Sequence, residues 1–71
     1  MLRYPIIIEK ARKNYSAYSP DLPGCIATGA SARQALSRMK SAIKIHLEGL
    51  KKEGADIAEP STMVEYIKIA I

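Results

Sequence analysis

The chain has 71 residues, a formal net charge of +4 and a charged fraction of 25%, which describes one ordinary globular domain over residues 1–71. Its single cysteine excludes an internal disulfide. The longest apolar strand run, Ile6-Ile7-Ile8, is far below a membrane span and follows no signal-peptide pattern. A domain this small sits near the edge of independent stability, so oligomerisation or a partner is the expected supplement, in a soluble cytoplasmic protein.

Arg3–Lys10 reads as the first strand, with Tyr4, Ile6 and Ile8 on one face and Pro5, Ile7 and Glu9 on the other. Pro5 cannot donate to a ladder and belongs at the strand's start or beside an unpaired edge. Ala11-Arg12-Lys13-Asn14 is a short polar link in which Asn14 tolerates a left-handed conformation. The second strand, Asn14–Ser19, carries Tyr15, Ala17 and Tyr18, residues suited to a pleated surface. Pro20 ends it. Leu22-Pro23-Gly24-Cys25 then has proline second and glycine third, the type II turn pattern, because the third position needs positive φ. A third strand runs from Cys25 or Ile26 to Gly29.

Ser31 with Gln34 three residues on forms a capping box. From about Ala32 to Glu53, Ala32, Leu36, Met39, Ile43, His46 and Leu50 recur at helical spacing, and Ala35, Ala42 and Leu47 widen the stripe. Leu36, Met39, Ile43 and Leu50 are the expected buried set. Gly54 is a natural stop, and Lys51 and Lys52 complement the negative end of the helix dipole. After a polar loop over Ala55–Thr62, Met63–Ile71 alternates Ile67, Ile69 and Ile71 against Tyr66, Lys68 and Ala70. The elements therefore read βββαβ, an α+β fold with one helix on a small sheet. One helix covers one sheet face, which leaves Ile7, Tyr18, Val64 and Tyr66 as candidates for the other. Those side chains make self-association through the bare face or a strand edge the expected behaviour.

Little in the chain points to chemistry. Cys25 and His46 would make a nucleophile and base only if the thiolate were stabilised. Cys25 beside a turn reads instead as a small buried residue, and His46 as part of the helix stripe. One cysteine and one histidine are no zinc set, and no cofactor is implied. Asp21 either satisfies turn amides or meets a basic partner; turn chemistry alone justifies it. Arg33, Arg38, Lys40, Lys44, Lys51 and Lys52 make the helix basic. That pattern fits a solvated face with i,i+4 pairs; the alternative is a salt-sensitive phosphate-contacting surface.

Tyr15, Ala17, Pro20, Asp21, Leu22, Pro23, Gly24, Cys25, Ala27 and Gly29, followed by Ile45–Leu50, resemble the HicB domain, and the likeness extends from Tyr4-Pro5 through Met63–Ile71. The resemblance implies a truncated ribonuclease-H-like mixed sheet, with the last strand beside and parallel to the first. It implies an antitoxin that binds and inhibits HicA, a small messenger-RNA-cleaving toxin, by occlusion and without catalysis. Fold resemblance does not carry nuclease activity, because Tyr4-Pro5-Ile6-Ile7-Ile8 has no central acid. Tyr18, Asp21, Leu22 and Tyr66 are the expected partner-binding residues. Two departures stand out. The chain stops at Ile71, where many HicB antitoxins continue into a DNA-binding module, and its helix is basic where HicB helices often carry acids. The alternative function is an orphan small RNA-binding or oligomerising regulatory domain without a toxin partner.

Overall fold

The computed structural model describes all residues from Met1 to Ile71. The element order is β1 (Ile7–Lys10), β2 (Tyr15–Tyr18), β3 (Ile26–Gly29) and α1 (Ala32–Lys52). The strands form one antiparallel sheet in the order β1-β2-β3. Ile8 pairs with Ala17, and Ala17 with Ala27. Directly paired side chains share a face, so this row, together with Tyr15, looks toward the helix. Ala17, Leu22, Cys25, Ala35 and Met39 are the buried apolar core, and Tyr4, Ile6, Ile8, Tyr15, Ala27, Ala42, Ile43 and Leu47 pack around it.

The punctuation residues perform as their chemistry requires. Gly24 has φ +83°, and the Cys25 amide donates to the Leu22 carbonyl at 3.1 Å, closing the type II turn. At the helix start the Gln34 amide donates to Ser31 Oγ at 3.0 Å. The Gln34 side chain reaches back to the Ala30 amide at 2.6 Å, one residue earlier than in the usual capping box. At the other end Gly54 takes φ +69°. Its amide donates to Lys51, and that of Ala55 to Leu50, the double bond of a Schellman closure. Asn14 is not left-handed, since no residue other than glycine has positive φ. Its carbonyl accepts from the Ala11 amide at 2.8 Å instead.

Three expectations are corrected. β1 begins at Ile7, not Arg3, because β2 ends at Tyr18, the partner of Ile7. Tyr4, Pro5 and Ile6 therefore find no ladder on that side. Met63–Ile71 forms no strand: the architecture is βββα and wholly antiparallel, not βββαβ with a mixed sheet. Met63 is 86% exposed, Ile67 82% and Ile69 72%, so the alternating segment that reads as a strand is not laid against the body. Finally, Leu36 is 46% exposed while Met39 is fully buried, and Ile43 and Leu50 are only half-buried. The helix packs most closely on β3 and least on β1, so the part of its stripe beyond β1 lacks a strand beneath it.

Candidate interaction site

The sheet face turned away from the helix carries an apolar row. Ile7 pairs with Tyr18, and Tyr18 with Ile26, so the three side chains stand side by side across all three strands. Ile26 is 63% exposed, and Ile7 and Tyr18 are half-buried. Glu9, Ser16 and Thr28 make the next paired row, giving a polar margin. Sequence reasoning places Ile7 and Tyr18 on this face and misses Ile26. The signal was there in the alternation, since Cys25 and Ala27 point inward and Ile26 lies between them.

The Pro20–Gly24 turn borders this row, where Tyr18 leads into it, and two of its residues are committed internally. Leu22 is only 2% exposed and belongs to the core. Asp21 Oδ1 accepts from the Ser61 amide at 3.2 Å, the Ser61 hydroxyl at 3.1 Å and the Thr62 hydroxyl at 3.1 Å. Burial raises the pKa of this carboxyl, but the hydrogen bonds from Ser61 and Thr62 outweigh that, and the net direction is downward. Asp21 thus fastens the loop after the helix to the turn. Tyr4 adds a second fastening, its hydroxyl donating to the Ala58 carbonyl at 2.6 Å. Its phenol is pushed up by burial and then by the Glu59 and Asp21 carboxylates, which keeps it a donor. After Thr62, Met63, Val64 and Glu65 still border Arg3, Tyr4 and Pro5 across a shallow surface pocket; beyond them the tail is exposed, Tyr66 at 91%.

A second apolar surface lies at the opposite side of β1. Leu2, Tyr4, Ile6, Leu36 and Ile43 line an open groove of about 560 Å³, with Arg33 and Lys40 at its margin. The basic helix face is in part occupied, because the Arg38 guanidinium donates to the Thr28 carbonyl of β3 at 3.1 Å. Sequence reasoning counts Arg38 only as surface charge. Cys25 is buried, and burial pushes its thiol up, away from the thiolate that nucleophilic catalysis needs. No cluster of three His, Cys, Asp or Glu side chains assembles anywhere in the fold. No helix is long and apolar enough to cross a membrane.

Comparison with known proteins supplies a context for these surfaces. An uncharacterised 14.9 kDa protein of Haemophilus phage HP1 is 34% identical over 64 residues, and the chain spans about half of its length, 48%. A UPF0150 protein of Thermoplasma acidophilum is 37% identical over 57 residues, 79% of this chain and 83% of the relative. A UPF0150 protein of Helicobacter pylori is 35% identical over 65 residues, 90% of each. No solved structure is matched significantly. The model of one family, described as the HicB-like antitoxin of bacterial toxin-antitoxin systems, matches residues 4–70, so the chain belongs to the HicB-like antitoxin family.

Proposed function

We propose that this domain binds and silences a HicA-type messenger-RNA-cleaving toxin in the cytoplasm, covering the toxin's catalytic groove or RNA surface and contributing no chemistry of its own. The observation that carries this reading is the Ile7–Tyr18–Ile26 row, an apolar strip on the sheet face turned away from the helix, with Ile26 63% exposed. Such a strip with a central tyrosine has the composition of an interface hot spot. Tyr18 is the contact at its centre. Leu22 and Asp21 serve by holding the neighbouring turn in one shape, which lowers the ordering cost of binding. Tyr66, free on the extended tail, adds aromatic surface. A stable complex buries about 1,200–2,000 Å² in total, so most of one face of so small a domain would be used.

The test is an RNA-cleavage assay with a HicA-type toxin encoded beside this chain. The wild-type domain should suppress cleavage. Tyr18→Ala and Ile26→Asp should each weaken suppression about ten- to a hundred-fold, and Cys25→Ser should leave it intact. Should the toxin fail to bind while RNA binds in a salt-sensitive way weakened by Lys40→Glu and Lys44→Glu, the antitoxin reading is replaced by the nucleic-acid one.

A further inference from the structure

The tail from Met63 to Ile71 and the groove beside β1 are complementary, and we propose that each belongs to the other across two copies of this chain. Two copies would exchange their tails, each laying Ile67, Ile69 and Ile71 against the Leu36 and Ile43 side of its partner and adding a fourth strand to the partner's β1.

Three independent features converge on this pairing. The first is the free edge. β1 has a neighbour on one side only, whereas the outer side of β3 has its Thr28 carbonyl taken by Arg38. An unprotected edge is a template for another strand, and Tyr4, Pro5 and Ile6 continue it beyond the reach of β2. The second is the groove, lined by Leu2, Tyr4, Ile6, Leu36 and Ile43. It continues the helix-facing side of the sheet, so a strand placed there would have one apolar face against it and one polar face outward. The tail has that alternation: Ile67, Ile69 and Ile71 on one side, Tyr66, Lys68 and Ala70 on the other. Its isoleucines are 72–117% exposed, a costly arrangement for three large side chains unless something covers them.

The third is area. The chain exposes 6126 Å², whereas a compact protein of its mass exposes about 4,400 Å². Its radius of gyration is 14.0 Å and its long dimension 50 Å, against a radius of about 11 Å for a compact chain of this length. Each copy thus carries roughly 1,700 Å² of surplus surface by the same scaling. If a reciprocal exchange removed most of it, the total would fall among obligate homodimers, at about 2,000–5,000 Å². The tail's root is held by Asp21 on Ser61 and Thr62 and by Tyr4 on Ala58. The strand therefore leaves the body from a fixed point, which is how exchange of an identical element yields a closed two-fold dimer. The competing occupant of the groove is the same copy's own tail, folded back.

Sedimentation of the full-length chain distinguishes them. The wild type should have twice the monomer mass. The double variant Ile67→Asp/Ile69→Asp should have half that mass with an unchanged helical signal, because those side chains are 82% and 72% exposed and lie outside the core. Leu36→Glu should also be monomeric, and mixing it with the tail variant should restore a dimer, since one supplies an intact tail and the other an intact groove. A monomeric wild type, as a folded-back tail would give, overturns the exchange. So does a tail variant that stays dimeric, or a mixture of folded variants that stays monomeric. If Leu36→Glu fails to fold, the tail variant alone decides: folded and monomeric supports the exchange, dimeric overturns it.

Discussion

At the β3 edge the sheet runs directly beneath the start of the helix and Arg38 closes the Thr28 carbonyl; at the β1 edge the same helix overhangs a groove, and three of the ten isoleucines of the molecule stand exposed on a tail. One residue permits the closed side. A Cβ on Gly29 would lie 2.6 Å from the Ala35 amide nitrogen and 3.0 Å from Gln34 Cβ, so only glycine lets β3 and the helix approach so closely. That approach tilts the packing toward β3 and leaves Leu36 without a floor. The two sides thereby differ in packing: one is closed against the helix, and the other leaves Leu36 and the groove beside β1 open to solvent.

Helix substitutions should expose this asymmetry most strongly. Met39 is fully buried between the sheet and the helix, and Met39→Ala should cost about 2–5 kcal/mol in chemical denaturation, near the limit of so small a domain. Leu36→Ala, three residues away on the open side, should cost about 1 kcal/mol or less in the isolated chain, since its side chain is already half in water. Equal losses for the two would mean that the open side is not open.

Gly29→Ala tests the closed side. Two of the atoms nearest the new methyl are backbone and cannot rotate away, so the helix start must shift. The expected loss is about 1–3 kcal/mol, measured by the same denaturation. A variant as stable as the wild type would show that helix and strand can separate without penalty, and the proposed origin of the asymmetry would fall with it.

How much of this was legible in the chain depends on the range of the interaction. The Leu22–Cys25 turn, the Ser31–Gln34 cap and the Gly54 stop are decided within four or five residues, and all three stand where their residue types place them. The helix stripe marked the right face but not which part of it would find a floor. The tail's alternation reads as a strand, yet the structure forms none there; local pattern carries no information on whether a pairing surface exists, or in which chain. Leu22 shows the same limit from the other side. In a turn sequence it reads as surface, yet the turn bends it into the core. The Asp21 staple was half visible: turn chemistry suggested nearby amides as its partners, and the actual ones lie 40 and 41 residues away.

That staple gives the smallest effect and the most specific one. The Asp21 carboxyl titrates below its ordinary value in the folded chain, because burial is outweighed by the hydrogen bonds from Ser61 and Thr62 to its charged form. A depressed folded-state pKa contributes stability that is fully present above the unfolded value, near 3.8, and is lost as pH falls through the folded one. Asp21→Asn removes the charge but keeps the shape, so it should melt slightly below the wild type at neutral pH. The gap should narrow as the solution is acidified below the ordinary carboxylate range. The local signature is sharper than the melt, since the Ser61 amide donates to Asp21 Oδ1. In the variant that amide should exchange with solvent faster, while the amides of α1 keep their protection. If Ser61 exchanges at the same rate in both proteins, the tail's root is held by something other than Asp21, and the fixed exit of the tail at the β1 edge loses its physical basis.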